Sequence, residues 1–137
     1  VGGDVGWSEP QQTVVAIADG LVRHVRVARS WGGIVILEHE AADGSKFCSL
    51  YSHLGPLVCV GPGERVSKGQ MLGTIGRTHT WEGGGYRAHL HFGIHRGGFG
   101  CGKWITGYLS PQRFRSGEHG WVQPLGFIRQ YPRSTQR

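Results

Sequence analysis

Two histidines stand two residues apart in "AHLHFGIH" (88–95), with leucine and phenylalanine in the alternate positions. On an extended strand alternate side chains share a face, so His89 and His91 point one way while Leu90 and Phe92 point the other. At a rise of ~3.3 Å per residue their Cα atoms lie roughly 6–7 Å apart. That spacing lets one imidazole ligate a metal ion while its neighbour reaches a molecule bound to the same ion. The same pattern also fits two hydrogen-bonded histidines on a half-exposed strand. His95 shares the face but lies about 13 Å from His91 along the strand, too far to share an ion. Two more groups are candidates to join the pair: His53 in "LYSHL" (50–54), and Asp4 in "VGGD" (1–4), a carboxylate suited to zinc.

These side chains need strands to hold them, and the sequence supplies many short ones. "TVVAIA" (13–18) and "LVRHVRVA" (21–28) flank Asp19-Gly20, and this spacing predicts a hairpin with Val25 and Val27 on one face and His24 and Arg26 on the other. "GIVILEHE" (33–40) carries four consecutive apolar residues and reads as a central strand covered on both faces. "ADGS" (42–45) is a turn into "KFCSLYSHL" (46–54), giving a second hairpin. Residues 55–76 read as very short strands punctuated by Gly and Pro, and "THTWEGGGYR" (78–87) as a glycine-rich loop ahead of the histidine strand. Beyond it, 98–120 reads as an inserted hairpin or loop, "WVQPLGFI" (121–128) as a returning strand, and 129–137 as a polar basic tail. No helical period is sustained over ten residues. The expected architecture is therefore mostly β, a compact antiparallel sheet or sandwich with little helix, in one domain over residues 1–128.

A chain of 137 residues can bury a core without cross-links, and its 25 glycines suit many turns. The net charge of +6 comes from twelve arginines and three lysines against nine acids, a balance that fits a polyanionic partner or simply keeps the domain soluble. No recognition helix, zinc finger or ribonucleoprotein signature accompanies it, so nucleic acid is not an expected partner, whereas wall polymers and acidic glycans remain. No apolar stretch approaches the ~18 residues of a membrane-spanning helix, and no leader pattern opens the chain. The start at Val1 is expected to reflect a mature fragment or an excised domain. Cys48, Cys59 and Cys101 form no C-x-x-C pair, and one disulfide plus a thiol or three thiols are both open.

In order along the chain, "VGGD" (1–4), "ADGLV" (18–22), "ILEH" (36–39), "YSHL" (51–54), "VSKGQMLGTIG" (66–76) and "HLHF" (89–92) resemble the motifs of the lysostaphin-type, or LytM-like, zinc peptidases. Those enzymes cut bacterial peptidoglycan cross-links. The resemblance runs from Val1 to about Arg96 and resumes weakly at "WVQPLGFI"; no single motif is decisive, but their order is specific. It implies the lysostaphin-type sheet, a duplicated hybrid motif. "GERVSKGQMLGTIG" (63–76) is also similar to the hybrid motif of biotin- and lipoyl-carrying domains, a likeness of architecture in which Lys68 reads as a turn residue.

The resemblance implies one Zn2+ per domain, with Asp4 and His91 as ligands and His89 and His53 as the unliganded histidines of the active site. The family's first ligand, the histidine of H-x-G-x-D, would stand immediately before Val1; the expectation is that the sequence starts one residue late, the alternative that the site is incomplete. His24, His39, His79 and His119 are poor substitutes, and the resemblance gives His39 a structural position. The implied activity is hydrolysis of peptide cross-links by a zinc-activated water assisted by two histidines. His89 would serve as general base, and His53 would bind the water or oxyanion and protonate the leaving amine, roles that are exchangeable. The rival is a non-catalytic LytM-like module that binds cell wall or activates a partner amidase. "THTWEGGGYRA" (78–88) replaces a shorter family segment, and its Trp81 and Tyr86 are candidate substrate contacts. A monomer outside the cytoplasm, in periplasm, envelope or medium, acting on peptidoglycan peptides and meeting anionic wall polymers, completes the expectation.

Overall fold

A computed structural model of the chain describes residues 3–4, 12–28, 32–77, 88–99 and 121–122. Among these, every regular element is a strand: β1 (Gly3–Asp4), β2 (Thr13–Val15), β3 (Gly20–Ala28), β4 (Gly32–Glu40), β5 (Lys46–Val58), β6 (Arg65–Val66), β7 (Met71–Ile75), β8 (His91–Arg96) and β9 (Trp121–Val122). They form one antiparallel sheet in the order β1-β8-β5-β4-β3-β6, with β7 pairing β5 and β2, and β9 pairing β8. No helix among the described residues is long and apolar enough to cross a membrane. The expectation of an antiparallel, nearly helix-free architecture holds. The proposed insert from 100 to 120, the tail, Trp81, Tyr86, Cys101, His79 and His119 lie outside the described residues, as do 123–128 of the returning strand.

The four apolar residues of β4 explain its central place. Val35 and Leu37 enter the main core with Val22, Phe47, Tyr51, Leu54, Leu72, Phe92 and Ile94, while Ile34 and Ile36 pack on the other face with Cys48, Leu50 and Phe99. With period two, an unbroken apolar run must feed both faces.

The "ADGS" hairpin forms as expected: the Gly44 amide donates to the Ala41 carbonyl, and β4 and β5 pair from Glu40↔Lys46 onward. The first expected hairpin does not form. β2 pairs β7, and β3 pairs β4 and β6. Asp19-Gly20 is a crossover held by long-range bonds, for the Lys68 amide donates to Asp19 Oδ1 at 2.7 Å and His39 Nδ1 lies 2.7 Å from the Asp19 carbonyl. Gly20 runs so close to β4 that a Cβ there would lie 2.7 Å from both the Glu38 carbonyl and His39 Nδ1. This glycine serves a close approach between strands rather than a two-residue turn.

His39 begins a buried polar chain that the hydrophobic pattern did not reveal. The Asp19 carbonyl can only accept, so His39 carries its proton on Nδ1 and Nε2 accepts from the Ser49 hydroxyl, 2.7 Å away. The Tyr51 hydroxyl, 3.0 Å from Ser49, then donates to Ser49 and accepts from the Ile17 amide at 3.1 Å. Burial pushes the Tyr51 pKa up to about 12, which keeps that donor protonated. Burial also lowers the His39 pKa below its ordinary 6.5, against the opposing pull of the Asp19 carbonyl bond and the Asp19 and Glu38 carboxylates. A folded-state pKa below the unfolded value means that the unfolded chain binds the proton more readily. The stability tied to His39 is therefore present above about pH 6.5 and lost as the pH falls from there through the folded pKa. Urea denaturation midpoints measured from pH 7.5 down to 5 should fall more steeply in the parent than in His39→Gln.

Candidate active site

β8 lies against the first part of β5, with Tyr51↔Phe92 and Ser52↔His91 in register. Beyond this point β5 leaves β8 and joins β7, starting at Leu54↔Ile75. His53 occupies the junction. Across to β4, Val35 opposes Tyr51 and Gly33 opposes Leu54, so β5 spends one residue more than β4 over this interval and bulges at Ser52-His53. His53 has φ 64°, among the described residues the one non-glycine residue in the left-handed region. Its carbonyl accepts from the Gly76 amide at 2.9 Å, which ties the bulge to the end of β7.

The bulge decides where His53 points. Tyr51 faces the main core, so strict alternation would send Ser52 to the opposite face and return His53 to the core. Instead the His53 ring lies 4.6 Å from the His89 ring and 6.0 Å from the His91 ring, centroid to centroid. Histidine tolerates the left-handed region better than bulky or β-branched residues, yet a Cβ there still costs energy. His53→Ala is accordingly expected to be less stable than His53→Gly by about 1 kcal/mol in chemical denaturation, although glycine is ordinarily the weaker strand residue.

His89 sits in the segment just ahead of β8, which begins at His91, three residues later than the sequence pattern predicts. His53, His89 and His91 are all buried, at 1%, 4% and 0% exposure, which few imidazoles reach on a strand face that serves packing alone. Phe92 and Ile94 go to the main core, which leaves His91, Gly93 and His95 on the second face. His95 is four residues along, with Nδ1 2.6 Å from the Arg96 carbonyl, and does not figure in the ring contacts of His53.

Asp4 reaches the site through the backbone. β1 pairs β8 with Asp4 directly across from His91 in the backbone register. Among the described residues no three His, Cys, Asp or Glu side chains are grouped to hold a metal ion. The three clustered imidazoles are thus not themselves a cage. The residue types nonetheless suit zinc: a buried imidazole at His91 and a carboxylate residue paired opposite it in the backbone register, with the His53 and His89 rings close by.

Of the other histidines, His39 is committed to its buried chain, and His24, half-buried on β3, stacks on Phe99 with ring centroids 6.1 Å apart. The polar chain through Ser49 and Tyr51 escaped the sequence reading because its members occupy different strands; only the neighbouring "S-L-Y" of β5 hinted at it. Cys48 is buried, with Sγ 3.6 Å from the Gly97 carbonyl, and Cys59 is exposed.

A sequence profile described as peptidase family M23 matches residues 2–101. No curated protein matches the chain. Among solved structures, the chain is similar to the catalytic domain of the antimicrobial peptidase lysostaphin from Staphylococcus simulans, at 22% identity and TM-score 0.60 over 90% of this chain and 74% of that one. It is likewise similar to LytU, at 23% identity and TM-score 0.60 over 95% and 76%. A zinc-containing peptidase from Vibrio cholerae matches at 25% identity and TM-score 0.50 over 65% of this chain and 25% of that one. The first two likenesses speak for the fold.

Proposed function

Since the chain belongs to peptidase family M23, we propose that it is a zinc-dependent endopeptidase that hydrolyses peptide cross-links of bacterial peptidoglycan. The observation that carries this reading is the meeting of His53 of β5 with His91 of β8 and with His89 of the segment ahead of it, beside the backbone position that Asp4 opposes. Asp4 and His91 would hold the ion together with a histidine ahead of Val1. When bound, zinc supplies Lewis acidity toward the scissile carbonyl and lowers the pKa of water to about 7.

The residues of the chain do the rest. His89, whose ring lies 4.6 Å from that of His53, would take the proton from the attacking water as general base. His53 would hydrogen-bond the developing oxyanion and return a proton to the leaving amine. The bulge and the Gly76 bond keep His53 at a fixed height relative to β8, which spares the reaction the entropy of assembling the pair. The lysostaphin likeness and the basic charge of +6 support an anionic cell-wall substrate outside the cytoplasm.

The test uses protein extended upstream of Val1, where the third ligand of this proposal would stand. Zinc near one equivalent, with release of new amino termini from purified peptidoglycan that stops on chelation and resumes on adding zinc, is the expected result. Release that continues unchanged in chelator would refute the zinc mechanism. A metal-free, inactive protein that still binds wall would leave the non-catalytic module in its place.

A further inference from the structure

We infer that Arg26 is a specificity-determining residue that pairs with a free carboxylate of the peptide substrate, about four residues from the bond that is cut. This rests on the peptidase reading and adds a subsite to it.

The register places Arg26 in line with the site. On β3, Arg26 opposes Ile34 of β4. Ile34 lies between Gly33 and Val35, the interval in which β5 bulges at Ser52-His53. Ser52 opposes His91, and His91 opposes Asp4. One row therefore crosses five strands: Arg26, Ile34, the bulge, His91 and Asp4. It also keeps to one face. Val25 packs against the main core and Ile34 against the second cluster, so Arg26 emerges on the side of Ile34 and Leu50. Leu50 opposes Gly93, which shares its face with His91.

Within this row Arg26 is exposed and Ile34 half-buried, whereas Ser52, His53 and His91 are buried. Phe99 covers the next rows, packing on Ile36, Cys48 and Leu50, with its amide donating to Glu38 Oε2 at 2.7 Å. Arg23 lies over the Phe99 ring at 5.5 Å and pairs with Glu38, and Lys46 pairs with the same carboxylate. Those two cations share a single carboxylate. Arg26 is exposed, and among the described residues no carboxylate lies within ion-pair distance of it. Three strand spacings separate it from His91, roughly 14 Å, which an extended peptide spans in about four residues. Half-buried Ile34 would be the apolar floor between the two ends. A guanidinium there offers a planar fork to a carboxylate and nothing comparable to its amide.

The experiment measures binding, separately from turnover. Synthetic peptides are made with a free side-chain carboxylate about four residues to either side of the scissile bond, each beside its side-chain amide. They are titrated into upstream-extended protein held in chelator. The acid is expected to bind about 5- to 10-fold more tightly than the amide in one of the two series, with the preference shrinking in high salt. Arg26→Gln should abolish the preference, Arg26→Lys should keep part of it, and Arg23→Gln should keep all of it. Equal affinity for acid and amide in the parent, no measurable binding of either, or a preference that survives Arg26→Gln each overturns the assignment. Zinc-dependent cleavage is scored in a parallel assay: a chain that prefers the acid but never cuts refutes the peptidase reading alone, and one that cuts both peptides without preference refutes only the role of Arg26.

Discussion

His91→Ala, made in upstream-extended protein, is expected to lower bound zinc from about one equivalent to below a tenth and to cut peptidoglycan hydrolysis by about 10³-fold or more. The reason is positional. His91 is fully buried and opposes Asp4 on one side and Ser52 on the other. His95 is four residues along the same strand, and His53 is held in its bulge by the Gly76 amide. Asp4→Asn should reproduce the loss of zinc, since a neutral amide is a much weaker ligand for a divalent ion than a carboxylate. Elemental analysis on protein whose far-ultraviolet circular dichroism matches the parent separates loss of the ligand from loss of the fold. A His91→Ala protein that kept stoichiometric zinc would remove His91 from the ligand set.

His89→Ala should behave differently: zinc retained, hydrolysis reduced by about 10²- to 10⁴-fold, the range of a lost general acid or base. The ring-to-ring distance of 4.6 Å makes His53 and His89 a coupled pair, so the double variant His53→Ala/His89→Ala should be little worse than the poorer single one. Equal loss of zinc and activity in His89→Ala would make it a ligand and would count against this division of labour.

Much of this protein is legible without coordinates. The alternation in β8, the unbroken apolar run of β4 and the "ADGS" turn report local geometry, because strand period and turn chemistry depend on residues next to one another. The histidines and Asp4 could be singled out by type and by their order along the chain. The Asp19-Gly20 signal misled because the same dipeptide that closes a hairpin also permits a close crossover; which one forms is decided by β4 and by the Lys68 turn, neither of them local.

What the sequence alone determined is thus the inventory: strands with their buried faces, a helix-poor sheet, and four side chains able to do metal chemistry. Only the tertiary structure decided which strands carry them side by side. The β1–β8 register sets Asp4 across from His91, and the extra residue in β5 turns His53 away from the core face that alternation assigns it. Pairing register is a property of two strands distant in the chain, and a slip of one residue would send every side chain to the opposite face. The row that joins Arg26 to His91 has the same origin, since each link in it is a hydrogen-bonded neighbour across the sheet and none is a neighbour in sequence.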